Sequence, residues 1–583
     1  MKHMSSTPRQ GEVIGFQSVI EDALVRARTE RFAERIWAKD ASFWKTEGAH
    51  QKIIRNALGW LDVARTMSER VHELESFAGE IREAGFTHLM LLGMGGSSLC
   101  PEVFRRTFGR QENFPKLLVL DTTDPDTIAA FEQKIDLSKT LFIVSSKSGT
   151  TIEPLSFYRY FYDRVQREKG ERAGENFIAI TDPATLMERQ ATEHGFRKIF
   201  LNPADIGGRY SALSYFGMVP AALMGLDVRE LLARAVRAVE ECGASVPANE
   251  NPGVRLGCIL GALANVGRDK LTLITDGSIS SLGLWVEQLI AESTGKEGKG
   301  IVPVANEPLG APNVYGSDRL FVAIHAGAMN KDTDGALRAI ESAGHPVVRR
   351  SLDDVYDLGA EFFVWEMATA VAGKFLGINP FDQPNVQESK DNTNALLDEF
   401  KKTGALPETA ALVTEDDLKI YVTRQWAEEK FSDAKTATLS SVIAAHLARV
   451  HANDYIALLA YIQERDEHDR LLREIRTALR YKFHVATTTG YGPRFLHSTG
   501  QLHKGGAGNG VFIQLTDEDS TDLQIPGEPY SFSVLKQAQA LGDFSSLEKR
   551  NRRAIRFHLG KDATAGLEKL LELVLEATGA AES

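Results

Sequence analysis

The sequence predicts an α/β protein built from parallel sheets, with a helical segment at the N terminus and a third α/β unit at the C terminus. Short β-branched runs alternate with segments of helical length, which is typical of βαβ units, and this alternation restarts twice after polar stretches. A chain of 583 residues is long enough for several domains of ordinary size. We therefore predict four parts, at residues 1–79, 80–244, 245–398 and 399–583.

The N-terminal segment is predicted to be helical because its apolar residues recur at helical spacing. Phe32, Ile36 and Trp37 form one such group. A period near 3.6 residues is typical of an amphipathic α-helix that packs one face against a core. We expect these helices to lead into the first sheet.

The strands of the three units are predicted from their β-branched residues. The first unit has strands at His88–Leu92, Leu117–Asp121, Leu141–Ser145 and Phe177–Thr181. The second has strands at Lys270–Thr275, Arg319–Ile324 and Pro346–Arg349, with helices at Leu284–Ala291 and Glu361–Gly377. The third has strands at Asp454–Ile462, Phe483–Thr488, Gly510–Thr516 and Ala554–Leu559, and its charged run Gln463–Arg480 is interpreted as a solvated helix face.

Composition and charge argue against several classes of protein. Lys and Arg total 67 against 79 Asp and Glu, a net charge of −12 without a long basic block, so neither nucleic acid nor an anionic membrane surface is an expected partner. Residues 1–13 lack the apolar core of a signal peptide, and no apolar stretch approaches the roughly 20 residues of a membrane span. These features predict a cytoplasmic protein. Three cysteines without Cys-x-x-Cys spacing predict buried free thiols, not a disulfide framework or a zinc site.

A glycine-rich turn follows the first predicted strand. Gly95, Gly96 and Ser97 lie within Gly93–Ser98, where the backbone could approach a ligand at the carboxyl end of a parallel sheet. Ser98 stands where a dinucleotide fingerprint has its third glycine, so NAD is not an expected cofactor. A tight structural βα turn is the alternative.

A hydroxyl-rich segment follows the third predicted strand. Ser146, Lys147, Ser148 and Thr151, with Glu153 after them, stand where a helix begins. Hydroxyl and amide donors at the positive end of a helix suit a phosphate monoester, and a lysine adds a point charge. The nucleotide P-loop pattern is absent, which favours a small phosphorylated ligand. A group of helix-capping residues is the alternative.

Further candidates lie in later loops. Arg209 is flanked by glycines and could hold an oxyanion through its planar guanidinium, or could form an ordinary surface salt bridge. Glu292 ends a predicted helix, with Gln288 one turn earlier on the same face. It could act as a general base, and an exposed glutamate without a role is the alternative. Gln383 and Lys390 lie in a proline-flanked loop and the helix start that follows.

Taken together, these segments resemble the glucose-6-phosphate isomerase family over roughly residues 80–395. Five of them occur in the family's order, namely Gly93–Ser98, Ser146–Thr151, Gly207–Ser211, Glu292–Lys296 and Asn379–Gln383. The chain is most similar to the isomerase half of fused transaldolase and glucose-6-phosphate isomerase proteins, without an evident transaldolase part. The resemblance implies sugar-isomerase (SIS-like) parallel-sheet domains.

The activity that the resemblance implies is the interconversion of glucose 6-phosphate and fructose 6-phosphate through a cis-enediolate, a step of glycolysis and gluconeogenesis, without a metal or other cofactor. Glu292 would move the proton between C2 and C1, Arg209 would stabilise the enediolate, and Lys390 would assist ring opening. The implied substrate-binding residues are Gly95, Gly96, Ser97, Ser146, Lys147, Ser148, Thr151, Glu153, Gln288 and Gln383. The alternatives are an isomerase that also accepts mannose 6-phosphate and a non-catalytic sugar-phosphate sensor of the same fold. The family's dimers share their active sites, so a homodimer also stays open.

One element of the family pattern is displaced. The histidine of the pattern His-x-x-x-Gln-x-x-x-x-Gly is missing from Pro308–Phe321, and the pattern occurs far downstream at His497. A strand with Phe512 and a helix predicted at Ser531–Gly542 follow it, so we interpret the third unit as a displaced copy of a family half-domain. His497 would then be the acid/base of ring opening, within one chain or across a dimer, and a structural histidine is the alternative. His497 and His503 lack the spacing and further ligands of a metal site.

Overall fold

The computed structural model describes residues 9–10, 13–431 and 436–579. Within these ranges the strands form three sheets whose central strands all run parallel, which confirms the predicted α/β class. The expectation for residues 1–13 falls mostly outside the described residues. None of the helices in the described ranges has the length and apolar content that crossing a bilayer needs.

The predicted helical segment before the first sheet is confirmed. Its helices in the described residues are α1 (Gln17–Thr29), α2 (Phe32–Trp37), α3 (Gly48–Arg55), α4 (Trp60–Glu69) and α5 (Val71–Glu83). A short strand, β1 (Arg9–Gln10), pairs with the second sheet. Trp60 is fully buried, with its ring centroid 5.5 Å from that of Phe363. The segment therefore shares a core with the second unit.

The first sheet contains β2 (His88–Leu92), β3 (Lys116–Leu120), β4 (Thr140–Ser145), β5 (Phe177–Thr181) and β6 (Lys198–Leu201) in the order β3-β2-β4-β5-β6. Its helices are α6 (Leu99–Phe108), α7 (Pro125–Glu132), α8 (Ile152–Lys169), α9 (Leu186–Glu193), α10 (Tyr215–Leu223) and α11 (Val228–Glu241). After β2 the chain forms β3 along one edge of β2, and it then forms β4 along the opposite edge. This reversal opens a crevice at the carboxyl ends of β2 and β4, where open α/β sheets bind ligands.

The second sheet has the order β1-β10-β9-β7-β8. Its further strands are β7 (Lys270–Thr275), β8 (Val302–Val304), β9 (Arg319–Ala326) and β10 (Val347–Leu352). Its helices are α12 (Pro252–Asn265), α13 (Leu282–Thr294), α14 (Lys331–Ser342), α15 (Leu358–Leu376) and α16 (Pro384–Thr403). Helix α13 is longer than the sequence predicted, so Glu292 lies inside it. Cys100, Cys242 and Cys258 are buried and free, as predicted.

The third sheet has the order β11-β12-β16-β15-β13-β14, with β11 and β12 antiparallel to their neighbours. Its strands are β11 (Val413–Glu415), β12 (Leu418–Val422), β13 (Tyr455–Tyr461), β14 (Ala486–Tyr491), β15 (Gly510–Thr516) and β16 (Arg553–His558). Its helices are α17 (Arg424–Lys430), α18 (Leu439–Leu447), α19 (Asp466–Phe483), α20 (Gly500–Gly505), α21 (Phe532–Lys549) and α22 (Ala563–Thr578). A 3₁₀ turn, Arg494–His497, follows β14.

The prediction of a solvated helix face at Gln463–Arg480 is wrong for its second half. The exposed pair Arg470–Glu474 has the expected spacing, but Arg476 and Arg480 are buried. Arg476 donates to the carbonyl oxygen of Ala305 in the second unit, at 3.2 Å. A guanidinium carries five donors, so it can satisfy main-chain carbonyls inside an interface. This half of α19 therefore docks on the second unit.

The third unit also packs against the first. The rings of Phe157 and Phe532 stack with centroids 6.0 Å apart. Arg494 donates to both carboxylate oxygens of Asp121, which follows β3, at 2.9 and 2.8 Å. A bidentate, mostly buried pair of this kind fixes orientation as well as distance. It brings the turn that ends at His497 to the crevice of the first sheet.

Candidate functional site

The glycine-rich turn after β2 allows three parts of the chain to meet. Gly95 has a φ of +53°, and a Cβ at this position would lie 2.8 Å from Gln288 Nε2 and 3.0 Å from His497 Cβ. A Cβ on Gly96 would lie 2.0 Å from the carbonyl oxygen of Gly208. Side chains at these two positions would push the three units apart. The glycines are therefore needed for close approach.

The hydroxyl-rich segment runs from the end of β4 to the first turn of α8, where main-chain amides point out of the helix. Ser146 is buried, and its Oγ has no hydrogen-bond partner among the described residues. Ser148 Oγ lies 3.4 Å from Thr151 Oγ1. Lys147 pairs through its Nζ with Asp182. The segment thus offers an unpartnered buried hydroxyl just after β4, while the charge of Lys147 is balanced by a carboxylate.

Glu292 is a mostly buried carboxylate whose two oxygens are both held. Arg209 NH1 lies 3.1 Å from Glu292 Oε1, and Gln288 Nε2 donates to Glu292 Oε2 at 3.2 Å. Arg209 also donates to Ser293 Oγ at 2.7 Å and to Gln383 Oε1 at 2.9 Å. The guanidinium therefore fixes the carboxylate, and it does not form the surface salt bridge that was the alternative.

Two buried side chains hold the loops around Glu292. Lys296 Nζ donates to Asp382 Oδ1 at 2.8 Å, and burial lowers the pKa of Lys296 to about 8. Gln501, the glutamine of the displaced pattern, donates to the carbonyl oxygen of Gly295 and accepts from the amide of Asn385, each at 2.8 Å. The pattern that carries the histidine thus also joins the third unit to the second.

His497 reaches this site from the third unit of the same chain. Its Nε2 lies 2.9 Å from Glu153 Oε1, and its main-chain carbonyl accepts from Gln288 Nε2 at 2.7 Å. Burial acts to raise the pKa of Glu153, but the neighbouring His497 holds this pKa below its ordinary value. Gln288 therefore joins the Glu292 carboxylate to the main chain of His497, whose imidazole pairs with Glu153.

A cavity of about 320 Å³ opens beside His497, a volume within the range of small-molecule pockets. Its polar walls include Thr151, Glu153, Ser389, Lys390, His497 and Gln539. Ser389 is buried, and its Oγ has no hydrogen-bond partner in the described part of the chain. Buried polar groups are normally hydrogen-bonded. Ser389 therefore offers an unpartnered hydroxyl to this cavity.

Sequence reasoning missed Ser389 and Gln539. Gln539 Nε2 donates to Glu153 Oε1 at 2.7 Å. The one signal for it is that Gln539 stands between two alanines in the helix predicted at Ser531–Gly542. Nothing in the sequence, however, indicated which group a buried amide at this position would contact.

The sequence profile of the family described as phosphoglucose isomerase matches residues 35–328, half of the chain. Among curated relatives, the glucose-6-phosphate isomerase of Rubrobacter xylanophilus is 28% identical over 398 residues, which cover 59% of this chain and 90% of the relative. The glucose-6-phosphate isomerase of Enterococcus faecalis is 28% identical over 390 residues, which cover 58% of this chain and 86% of the relative.

Two solved structures share the fold. A hypothetical protein of Thermus thermophilus superposes with a TM-score of 0.57 at 24% identity and covers 67% of this chain and 99% of its own. A glucose-6-phosphate isomerase of Chlamydia trachomatis superposes with a TM-score of 0.51 at 20% identity and covers 66% of this chain and 86% of its own. At these identities the likeness is one of fold. On the profile match, the chain belongs to the phosphoglucose isomerase family.

Proposed function

We propose that this chain interconverts glucose 6-phosphate and fructose 6-phosphate by moving one proton between C2 and C1. The observation that carries the proposal is that Gln288 links the Arg209–Glu292 pair to the main chain of His497, whose imidazole pairs with Glu153. The reaction needs a base for a carbon-bound proton and a second acid/base group for the ring. The names of the curated relatives agree with this activity.

Ring opening is assigned to His497 and Lys390. An ionised Glu153 carboxylate only accepts hydrogen bonds, so we assign a proton to His497 Nε2 and the acceptor role to Nδ1. Nδ1 takes the proton of the C1 hydroxyl while the bond between C1 and the ring oxygen breaks. The ring oxygen takes a proton from the Lys390 ammonium, which lines the same cavity. From glucose 6-phosphate the product is the open-chain aldehyde. Fructose 6-phosphate opens in the same way at C2, which carries its anomeric hydroxyl, and gives the open-chain ketone.

Isomerisation is assigned to Glu292 and Arg209. The Glu292 carboxylate takes the C2 proton, the electron pair forms the C1–C2 double bond, and negative charge moves to the oxygen on C1. The Arg209 guanidinium, 3.1 Å from the carboxylate, stabilises this charge, because fixed donors at the site of developing charge lower the barrier. Glu292 then returns the proton to C1, the C2 hydroxyl proton passes to the oxygen on C1, and C2 becomes the carbonyl carbon.

Substrate binding is assigned to the crevice of the first sheet. We propose that Ser146, Ser148 and Thr151 hold the phosphate at the N terminus of α8, with Lys147 as a nearby charge. The remaining proposed contacts to the sugar are Gly95, Gly96, Ser97, Gln288 and Gln383. The unpartnered hydroxyl of buried Ser146 supports this assignment.

The organisation of the chain is part of the proposal. We propose units at residues 1–79, 80–244, 245–398 and 399–583, a cytoplasmic location, and a relation to the isomerase part of fused transaldolase proteins. A homodimer is compatible with this organisation, but the site does not require one, because Glu292 and His497 belong to one chain. Size measurement in solution, compared with activity at the same concentrations, tests this point.

Turnover of fructose 6-phosphate tests the function. Protein that has been treated with chelator and freed of nucleotides should produce glucose 6-phosphate, detected by a coupled dehydrogenase. In deuterium oxide the product should carry deuterium at C2. Binding without turnover would favour the sensor, and equal turnover of mannose 6-phosphate would favour a dual isomerase. Activity that is lost on chelation and restored by a divalent ion would reject the metal-free mechanism.

A further inference from the structure

We infer that Gln539, on α21, is a positioning residue for ring opening, which holds the Glu153 carboxylate in the place where it orients His497. The inference rests on the proposed function, because it concerns the acid/base pair to which that function assigns ring opening. It adds a residue that neither the sequence motifs nor the family resemblance indicated.

The side chains of Thr123, Gln539 and Glu153 form a buried chain of hydrogen bonds across the interface between the first and third units. Gln539 Nε2 donates to Glu153 Oε1 at 2.7 Å, and Gln539 Oε1 accepts from Thr123 Oγ1, also at 2.7 Å. Thr123 follows β3 and is fully buried, and Gln539 is only 2% exposed. The opposite amide orientation would place Gln539 Oε1 against a carboxylate oxygen, two acceptors without a hydrogen between them. The Gln539 amide therefore has one favourable orientation.

Gln539 donates to the same carboxylate oxygen of Glu153 that contacts the His497 imidazole. Glu153 Oε1 lies 2.9 Å from His497 Nε2 and 2.7 Å from Gln539 Nε2. The other titratable groups that act on Glu153 are Lys390, on α16, and the Tyr461 phenol, on β13. Donors favour the ionised form of a carboxylate, whereas burial opposes it. Burial acts to raise the pKa of Glu153, whereas His497, the main-chain amide of Glu153 and Lys390 hold it below its ordinary value, and Gln539 adds a further donor at 2.7 Å.

The consequence for catalysis follows from the state of the imidazole. An ionised Glu153 accepts the Nε2 hydrogen of His497 and leaves Nδ1 to take the proton of the sugar, whereas a protonated Glu153 is a weaker acceptor and can donate to the ring instead. Without the Gln539 donor, the ionised form of Glu153 would be less stable and would be protonated at higher pH. Ring opening would then decline on the acidic side of the pH profile, whereas proton transfer by Glu292 would not.

Two substitutions and a matched control test the inference. Gln539→Leu should move the acidic limb of kcat/KM for fructose 6-phosphate upward by about one pH unit. Gln539→Glu should move it further, because two adjacent carboxylates share a proton. Neither variant should change the limb for the 5-deoxy analogue of fructose 6-phosphate, which cannot close its ring. Gln537→Leu, at an exposed position on the same helix, should match the wild type on both substrates.

Equal losses on both substrates with unmoved acidic limbs would overturn the inference and leave Gln539 with a structural role. Gln539→Glu, which nearly preserves shape, decides the question if Gln539→Leu does not fold. If the wild-type chain does not turn over, the proposed function fails, and nitrogen NMR of the imidazoles then decides the inference. The His497 signals, identified by their loss in His497→Ala, should show a proton on Nε2 in the wild type and a weaker preference in Gln539→Glu. Identical His497 spectra would contradict the inference.

Discussion

Replacing His497 with alanine removes the imidazole and keeps the main-chain carbonyl that accepts from Gln288. The change therefore separates ring opening from the support of Glu292. General acid–base groups contribute about 10²–10⁴-fold to rate, so turnover of fructose 6-phosphate should fall at least about 100-fold. Glu153, only 4% exposed at its side chain, would also lose one of its donors, which should lower the free energy of unfolding by about 1–3 kcal/mol.

The assay compares two substrates under the same conditions. The 5-deoxy analogue of fructose 6-phosphate has no C5 hydroxyl to close its ring, so its isomerisation does not need ring opening and should proceed at nearly the wild-type rate in His497→Ala. His451→Ala, at an exposed position in the same unit, is the matched control and should leave both rates unchanged. Equal losses on the two substrates, or no loss on fructose 6-phosphate, would refute the assignment of His497.

Two further predictions concern a contact that holds the third unit and the location of the site within one chain. Burial acts to raise the pKa of Glu464, but Arg494 and Arg106 lower it to about 2 from an ordinary 4.5, so the carboxylate stabilises the fold above pH 4.5 and loses this effect as the pH falls towards 2. Between pH 4.5 and pH 2 the free energy of unfolding, measured by denaturant titration, should fall by about 3 kcal/mol more in the wild type than in Glu464→Gln. The same pH dependence of unfolding in both proteins would contradict this prediction. The second prediction follows from the proposal that Glu292 and His497 act within one chain. Mixing or co-expressing the Glu292→Gln and His497→Ala variants should therefore restore no activity. Activity above the sum of the two separate variants would show a site shared between subunits.

The sequence predicts the buried strands well for a physical reason. β2, β5, β7 and β15 have the predicted bounds, because strands covered on both faces are near-continuous apolar runs that end at polar or glycine-rich turns. The four-residue strand β6 was missed, since its Lys198 and exposed Leu201 give it no such run. Arg476 was predicted to lie on a solvated helix face. Helical spacing shows which residues share a face, but it does not show what packs against that face.

The candidate site divides in a similar way. Arg209 and Glu292 lie in local motifs and are brought together, at 3.1 Å. The role of Gln539 could not be predicted from the sequence, because its partner, Glu153, is 386 positions away. Only the packing of the third unit on the first brings the two side chains together. His497 was found through a pattern, but its placement within the same chain depends on the Arg494–Asp121 contact, which no local pattern contains.

Proton exchange at carbon tests the role of Glu292 most directly, because Glu292 alone is proposed to move the carbon-bound proton. In deuterium oxide the wild-type chain should incorporate deuterium from solvent at C1 of fructose 6-phosphate, followed by proton NMR. Glu292→Gln keeps the shape and the hydrogen bonds of the side chain but cannot accept the proton, so exchange should fall about 10²–10⁴-fold while the substrate still binds. Exchange at the wild-type rate in Glu292→Gln would contradict the account.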